Sequence, residues 1–368
     1  MAHDPFIVFA AGGTGGHLFP ALAVAGELRR RQPGAAIVFV GGTRGLESRL
    51  VPQAGFPLRT LAVTGLKGTR LVARLLAGGA AALAVGRCCW WFLAHRPDLV
   101  VGAGGYASGP AVLAAWLLRV PTMLMEQNHF PGATNRGLAP RADVVCVPSE
   151  AAKARLHGIG LVTGNPVRPE FATIGPSPNA ARMALLVFGG SRGARSINRA
   201  MVAALPQLAA MASPPRMVHQ TGPDEHEAVA RAYAEHPGLP ADVRPFLDDM
   251  PRRLADADLV ICRAGATTLA ELAAAGRPAI LVPFPFAADD HQRANAEVVR
   301  DAGAAVVIED KDLDGPRCAA EIAALAGDRQ RRQRMAEAAR TLARLDATAR
   351  IADVAEALLE RKAVPHVP

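Results

Sequence analysis

The sequence predicts an α/β protein made of two doubly wound parallel-sheet domains. Three observations carry this expectation. Short, almost wholly apolar runs alternate with longer helical runs, as in parallel sheets covered on both faces. Several of those runs end in glycine-rich loops that open a helix: G-G-T-G-G-H at 12–17, G-A-G-G-Y-A-S-G-P at 102–110 and G-G-S-R-G-A at 189–194. The pattern also restarts after a Pro/Gly-rich stretch, G-N-P-V-R-P at 164–169 and G-P-S-P at 175–178. With 368 residues the chain is long enough for two cores. The expected units are 1–164, 165–345 and a C-terminal helix at 346–368 that packs back on the first domain. The two domains are expected to face each other across a cleft.

In the first half, the apolar runs Phe6–Ala11, Ile37–Val40, Leu58–Val63, Asp98–Val101, Pro121–Met125 and Val144–Val147 read as strands. Helices are expected from about Phe19 to Arg31, Arg44 to Ala54 and Leu66 to Ala94. In the second half, Ala184–Phe188, Arg216–His219, Val243–Pro245, Leu259–Cys262, Ala279–Val282 and Ala305–Ile308 read as strands. After Ala319 the chain reads as helix to about Arg361.

Composition narrows the class. Half the residues are hydrophobic and 5% aromatic, with 35 Gly and 29 Pro, which is globular and rich in turns. The formal charge of +8 suits an anionic partner, whether nucleic acid, membrane surface or phosphorylated substrate, and does not choose among them. The five cysteines include no C-x-x-C pair, and Cys146 and Cys262 lie in apolar runs, so free buried thiols and a reducing compartment are expected. Phe6–Ala11 reads as a first strand rather than a signal peptide, since no basic region precedes it. Leu75–Ala94 has Arg87 as its sole charge but is Ala/Gly-rich, and a membrane span is not expected there.

The stretch Arg263–Ala296 gathers polar groups just after strand C-termini: Arg263, Thr267, Thr268, Glu271, Asp290, Gln292 and Asn295. In open α/β sheets that edge binds ligands. Two readings of Glu271 stand. Thr268-x-x-Glu271 matches a capping box, in which the carboxylate bonds the start of its own helix. Alternatively the carboxylate holds the hydroxyls of a nucleotide ribose. His17 is the one ionisable group of the first glycine loop, either a helix cap or solvated side chain, or a proton acceptor. The loop is neither a Walker loop nor a dinucleotide fingerprint, since no G-K-[ST] closes it and Leu18 stands where Gly or Ala belongs. Along 66–93, Lys67, Arg70, Arg74 and Arg87 alternate with Leu71, Leu75 and Leu76 before Trp90-Trp91, which suits either membrane contact or a packed helix. Asp256-Ala257-Asp258 precedes a strand and has no third ligand nearby, so it reads as a helix end, and no metal is called for.

In order, G-G-T-G-G-H, G-A-G-G-Y-A-S-G-P, E-Q-N at 126–128, P-G-A-T-N at 131–135, G-N-P-V-R at 164–168, G-G-S-R-G-A, F-L-D-D-M at 246–250 and the 263–296 stretch resemble the MurG family of peptidoglycan glycosyltransferases. The resemblance covers nearly the whole chain. It implies the GT-B fold, two Rossmann-like domains facing a cleft. It implies inverting transfer of GlcNAc from UDP-GlcNAc, a co-substrate, to the C4 hydroxyl of MurNAc in undecaprenyl-pyrophosphoryl-MurNAc-pentapeptide (lipid I). No cofactor, tightly bound metal or nucleic acid is implied. The donor-binding positions that match are Thr14, Gly15, Gly16, Asn128, Arg168, Ser191, Leu247, the run Ala266, Thr267, Thr268, Leu269, Ala270 and Glu271, and Gln292. Glu271 would hold the ribose, the loop at Ser191 the pyrophosphate, the Leu247 backbone the uracil, and Thr267, Gln292 and Asn295 the phosphates or sugar. His17 is the candidate base, with Glu126 and Asn128 as further candidates. The family commonly has His before E-Q-N and here Met125 stands, so that position is not expected to carry the chemistry. Leu71, Leu75, Arg87, Trp90, Trp91 and Trp116 match the membrane-contact region. The implied place is the cytoplasmic face of the inner membrane, peripherally bound at an anionic surface, with cell-wall synthesis and division proteins as partners. The rivals are a GT-B enzyme with another glycolipid acceptor, such as diacylglycerol, and a UDP-GlcNAc-binding or epimerising protein.

Overall fold

A computed structural model describes residues 4–13, 15–43, 45–61, 71–177, 182–190 and 192–361, with the backbone alone described at 71–78 and 288. It divides into two compact units, Met1–Arg168 with Arg344–Pro368, and Pro169–Ala343.

The first unit holds seven strands: β1 Phe6–Ala10, β2 Ala36–Gly42, β3 Leu58–Leu61, β4 Leu99–Gly102, β5 Thr122–Met125, β6 Val144–Val147 and β7 Leu161–Val162. All pair in parallel, in the order β3-β2-β1-β4-β5-β6-β7. Helices α1 Gly15–Arg31, α2 Glu47–Gln53, α3 Leu71–Ala94, α4 Ser108–Leu117, α5 Ala133–Leu138 and α6 Glu150–Arg155 connect them. Successive side chains of a strand point to opposite faces, and both faces are covered here. Ile7 and Phe9 of β1 pack with Leu18, Val24 and Leu28 of α1. Val8 and Ala10 pack on the other side with Cys88, Trp91 and Phe92 of α3 and Ala111 and Ala115 of α4.

The second unit starts with α7 Pro169–Ala172 and holds β8 Ala184–Phe188, α8 Arg195–Ala209, β9 Arg216–Gln220, α9 His226–Ala234, β10 Ala241–Arg244, α10 Met250–Asp256, β11 Leu259–Cys262, α11 Ala266–Ala275, β12 Ala279–Leu281, α12 His291–Asp301, β13 Ala305–Val307, α13 Gly315–Gly327 and α14 Arg329–Thr341. Its parallel sheet runs β10-β9-β8-β11-β12-β13. The chain then returns to the first unit as α15, Ala347–Leu359, whose Ile351, Ala352 and Ala355 join the core on α1. Arg31 of α1 adds ion pairs to Asp353 at 2.6 Å and Glu356 at 2.8 Å.

Each sheet reverses its winding next to its first strand, between β1 and β4 and between β8 and β11. Ligands of open α/β sheets bind outside such switch points, at the strand C-termini. The loops that leave these four strands are the glycine loops at 11–14, 102–107 and 189–194 and the segment Arg263–Gly265.

Some expected elements differ. Helix α1 begins at Gly15, not near Phe19, because Gly15 and Gly16 adopt the helical turn themselves. The edge strands β7 and β10 are short or polar: β7 was not foreseen and β10 lies at Ala241–Arg244 rather than Val243–Pro245. The expected continuous tail helix is three helices. Asp314 and Asp328 cap two of them, their side chains accepting from the N–H groups of Arg317 and Arg331 at 2.8 Å. The expected residues 62–70 lie outside those described. Asp258 accepts from the Ala184 N–H at 2.8 Å and from the Ser177 hydroxyl, so it fastens β8. α10 ends at Asp256, as a helix-end reading requires.

Candidate active site

In the first unit, two glycine loops meet backbone to backbone. A Cβ on Gly105 would lie 2.1 Å from the Gly12 carbonyl oxygen, and Gly105 has φ +79°. Gly13, with φ +95°, lies under the Tyr106 ring. Glycine is required at such contacts, since any Cβ would force the loops apart. Thr14 lies outside the described residues. Gly15 and Gly16 are the first two residues of α1, and His17 is the third. No acidic side chain occupies that first turn, where the helix dipole favours an anion.

His17 sits against Gly104, where a Cβ would fall 2.7 Å from Nδ1. Its Nδ1 is 2.9 Å from Gln127 Oε1. Gln127 is 2% exposed, and its Nε2 donates to the Met125 carbonyl at 3.1 Å. The Gln127 carbonyl accepts from Asn165 Nδ2 at 2.7 Å. Glu126 is also buried, and its two oxygens accept from the N–H groups of Gln127, Asn128 and Gly132 and from the amides of Asn128 and Asn135. Five donors exceed the roughly four lone pairs of a carboxylate. Glu126 thus organises the loop 126–135, and Asn128, the other further candidate, is held by it. Arg168 stacks its guanidinium 4.8 Å over the Phe19 ring, next to the start of α1. Glu47, which the sequence reading did not single out, is buried beneath the same loops, with Oε1 accepting from the Gly42 N–H at 2.9 Å.

The second unit repeats the device. A Cβ on Gly193 would lie 1.9 Å from the Thr221 carbonyl oxygen, and one on Gly222 would lie 2.1 Å from that of Arg192. Ser191 lies outside the described residues. Gln220 ties this loop to the segment at Leu247: its Nε2 donates to the Gly190 carbonyl at 2.7 Å and its Oε1 accepts from the Leu247 N–H at 3.0 Å. Leu247 is buried.

Helix α11 carries the run 266–271. Its N-cap is Gly265, with no side chain to cap the helix. Thr268 is therefore the third helical residue and Glu271 lies a turn and a half inside. The capping-box alternative needs Thr268 at the N-cap and falls. Thr267, Leu269 and Glu271 are buried, at 8%, 7% and 8% exposure, and Ala266, Thr268 and Ala270 are half-buried. Two other expected ligand groups serve the scaffold. Arg263 donates to the carbonyls of Val282 and Pro283, to Asp310 at 2.5 Å and to Ser196 at 2.8 Å, pinning four segments together. Asn295, fully buried, donates to the Ala264 carbonyl at 3.2 Å from beneath. Gln292 accepts from the Phe284 N–H at 3.0 Å. Beside it Asp289 and Asp290 both hold φ near +52°, a strained conformation that sites often retain. At the far end of α11, Arg277 is buried and donates to carbonyls of Leu254, Ala255, Ala275 and Gly175. Burial pushes its pKa down to about 10.

The membrane-contact residues separate. Leu83, Trp90 and Leu93 of α3 are 70–72% exposed, and Arg87 lies on the same exposed side. Trp116 and Leu117 at the end of α4 are also exposed. Trp91 is not: it is 7% exposed, edge-on to Phe6 at 6.1 Å and under the Arg59 guanidinium at 4.5 Å. It sits one helical step, about 100°, from Trp90 and faces the sheet. The expectation for Trp91 is corrected to core. The side chains of Leu71 and Leu75 lie outside those described. Among the described residues, no helix is long and apolar enough to cross a membrane, and no group of His, Cys, Asp or Glu is placed to hold a metal. All five cysteines are free thiols.

Residues 7–147 match the glycosyltransferase family 28 N-terminal domain and residues 184–357 its C-terminal domain. With two Rossmann-like units, these matches define a GT-B glycosyltransferase. Relatives from Anaeromyxobacter sp. (strain Fw109-5) and Myxococcus xanthus (strain DK1622) are 46% and 44% identical over 97% and 95% of this chain and 94% and 91% of their own. Both carry the name UDP-N-acetylglucosamine–N-acetylmuramyl-(pentapeptide) pyrophosphoryl-undecaprenol N-acetylglucosamine transferase. A crystal structure of Acinetobacter baumannii MurG superposes with TM-score 0.78 at 32% identity, covering 96% of this chain and 99% of its own. A UDP-GlcNAc 2-epimerase from Neisseria meningitidis, 13% identical with TM-score 0.67 over 96% of this chain and 100% of its own, shares the fold alone. The chain belongs to glycosyltransferase family 28 and, within it, to the MurG family.

Proposed function

We propose that this protein transfers GlcNAc from UDP-GlcNAc, with inversion, to the C4 hydroxyl of MurNAc in undecaprenyl-pyrophosphoryl-MurNAc-pentapeptide, turning lipid I into lipid II. The observation that carries this reading is the identity of 46% with a transferase of that name over 97% of the chain. In the second unit, the Leu247 carbonyl reads the uracil and Glu271 holds the ribose. The N-termini of α8, with Ser191, and of α11 receive the pyrophosphate, where backbone N–H groups and helix dipoles stabilise the negative charge that develops as UDP leaves. Thr267 and Gln292 complete the donor side. Thr14, Gly15, Gly16, Asn128 and Arg168 of the first unit match further donor-binding positions, and that unit takes the acceptor.

The reaction is a single displacement. The C4 hydroxyl oxygen attacks the anomeric carbon, the bond from that carbon to the UDP oxygen breaks with its electron pair, and His17 Nε2 takes the hydroxyl proton. Attack from the face opposite UDP inverts the centre. The exposed stripe of Leu83, Arg87, Trp90 and Leu93, with Trp116, rests on an anionic membrane at the cytoplasmic face, where the undecaprenyl substrate is held. Cell-wall synthesis and division proteins are the expected partners there.

The test is a direct assay with UDP-[14C]GlcNAc and a soluble lipid I analogue, with diacylglycerol vesicles as the other arm. A radiolabelled disaccharide product, with UDP released only when the lipid I analogue is present, supports the reading. Transfer to diacylglycerol alone, or UDP release without an acceptor, overturns it.

A further inference from the structure

We infer that Gln127 is a positioning residue: its amide oxygen fixes the proton of His17 on Nδ1 and so presents Nε2 as the proton acceptor. The inference rests on the reading of His17 as base. The amide cannot face the other way, because its Nε2 donates to the Met125 carbonyl, which only accepts. The atom turned toward His17 at 2.9 Å is therefore Oε1, also an acceptor. A hydrogen bond there requires the hydrogen on His17 Nδ1, and in a neutral imidazole the lone pair then lies on Nε2. Gln127 is 2% exposed, and its main chain is fixed as well: the backbone N–H donates to Glu126 Oε1 at 2.9 Å and the backbone carbonyl accepts from Asn165 Nδ2 at 2.7 Å. The ring sits against Gly104, where a Cβ would fall 2.7 Å from Nδ1.

The charged groups nearby leave this role to the amide. Glu126 spends its oxygens on the loop donors, Glu47 accepts from Gly42, and Arg168 stacks on Phe19. Among the described residues none of these is bonded to the His17 ring. The orienting partner is thus neutral. It selects the tautomer without adding the charge that an aspartate in the same place would bring.

The test combines a spectrum with kinetics on the full-length protein. Nitrogen-15 histidine spectra of the wild-type protein report the tautomer directly, and His17→Ala identifies the signal. The expected wild-type signal is the Nδ1–H form. Gln127→Leu should mix the tautomers and lower kcat about tenfold or more with the KM for UDP-GlcNAc unchanged. Gln127→Glu should keep the Nδ1–H form and move the acid limb of the kcat profile to higher pH, because a carboxylate stabilises the imidazolium. An Nε2–H or mixed wild-type signal overturns the inference, as does a wild-type kcat and tautomer in Gln127→Leu. If Gln127→Leu fails to fold, the wild-type spectrum and the Gln127→Glu profile decide alone. Near wild-type turnover in His17→Ala sinks the base reading instead, while the tautomer signal still reports on Gln127.

Discussion

Glu271 and His17 show how far a single residue can be read without its surroundings. Thr268-x-x-Glu271 satisfies a capping pattern, yet the helix starts three residues before Thr268, at Gly265. Glycine is a permitted N-cap, and a three-residue shift in helix start changes what a glutamate is for. Glu271→Ala should raise the KM for UDP-GlcNAc at least tenfold, about 1.4 kcal/mol, with the fold intact. Initial-rate kinetics with matching circular dichroism check this, and an unchanged KM refutes the ribose role. His17→Ala should lower kcat about 100-fold, read in the transfer assay at saturating donor. Wild-type turnover would remove His17 as base. The residue types at these positions were legible in the sequence. The partners were not: Gln127 and Gln220 lie at the ends of apolar strands, and no local spacing marks them as bridges to distant loops.

At the scale of elements, glycine loops and amphipathic helices behave differently. The crossing at Gly193 and Thr221 needs both a positive φ and the absence of a Cβ. Gly193→Ala should destabilise the protein by about 1–3 kcal/mol or more, whereas Gly26→Ala, in open space within α1, should be neutral or stabilising. Thermal unfolding of both variants separates the two, and equal melting points would contradict the crossing. Helix α3 carries the same lesson. Trp90 and Trp91 are indistinguishable in sequence, and only the phase of the helix against β1 divides them. Trp90→Ala should weaken binding to anionic vesicles and spare turnover on a soluble lipid I analogue. Trp91→Ala should cost about 3–5 kcal/mol of stability. Vesicle co-sedimentation and denaturant unfolding test the pair, and a stable, non-binding Trp91→Ala would return it to the membrane face.

For the molecule as a whole, acid stability should depend on a buried histidine of the second unit. His219 is fully buried between Asn198 Oδ1 and the Tyr233 hydroxyl, each at 3.1 Å. Burial pushes its pKa down from 6.5 to about 3. Between those values the unfolded chain binds a proton that the folded chain does not, so stability falls as pH falls from 6.5 toward 3. The slope for one proton is about 1.4 kcal/mol per pH unit. Urea unfolding across pH 7 to 4 should show this slope, and His219→Gln should flatten it. An equal slope in both proteins would assign the loss to the carboxylates instead, for example Glu27, whose pairing with Arg30 and Arg31 holds it down at about 2.

The sequence by itself determined the fold class and the glycine loops that end its strands, because parallel strands buried on both faces must be apolar and close loop crossings must be glycine. The family came from the resemblance of eight motifs in order. Tertiary structure alone decided which polar groups hold the scaffold. Arg263 and Asn295 looked like ligand groups and bond distant carbonyls, a carboxylate and a hydroxyl, because a buried charge or amide must find its partner wherever the folded chain brings one.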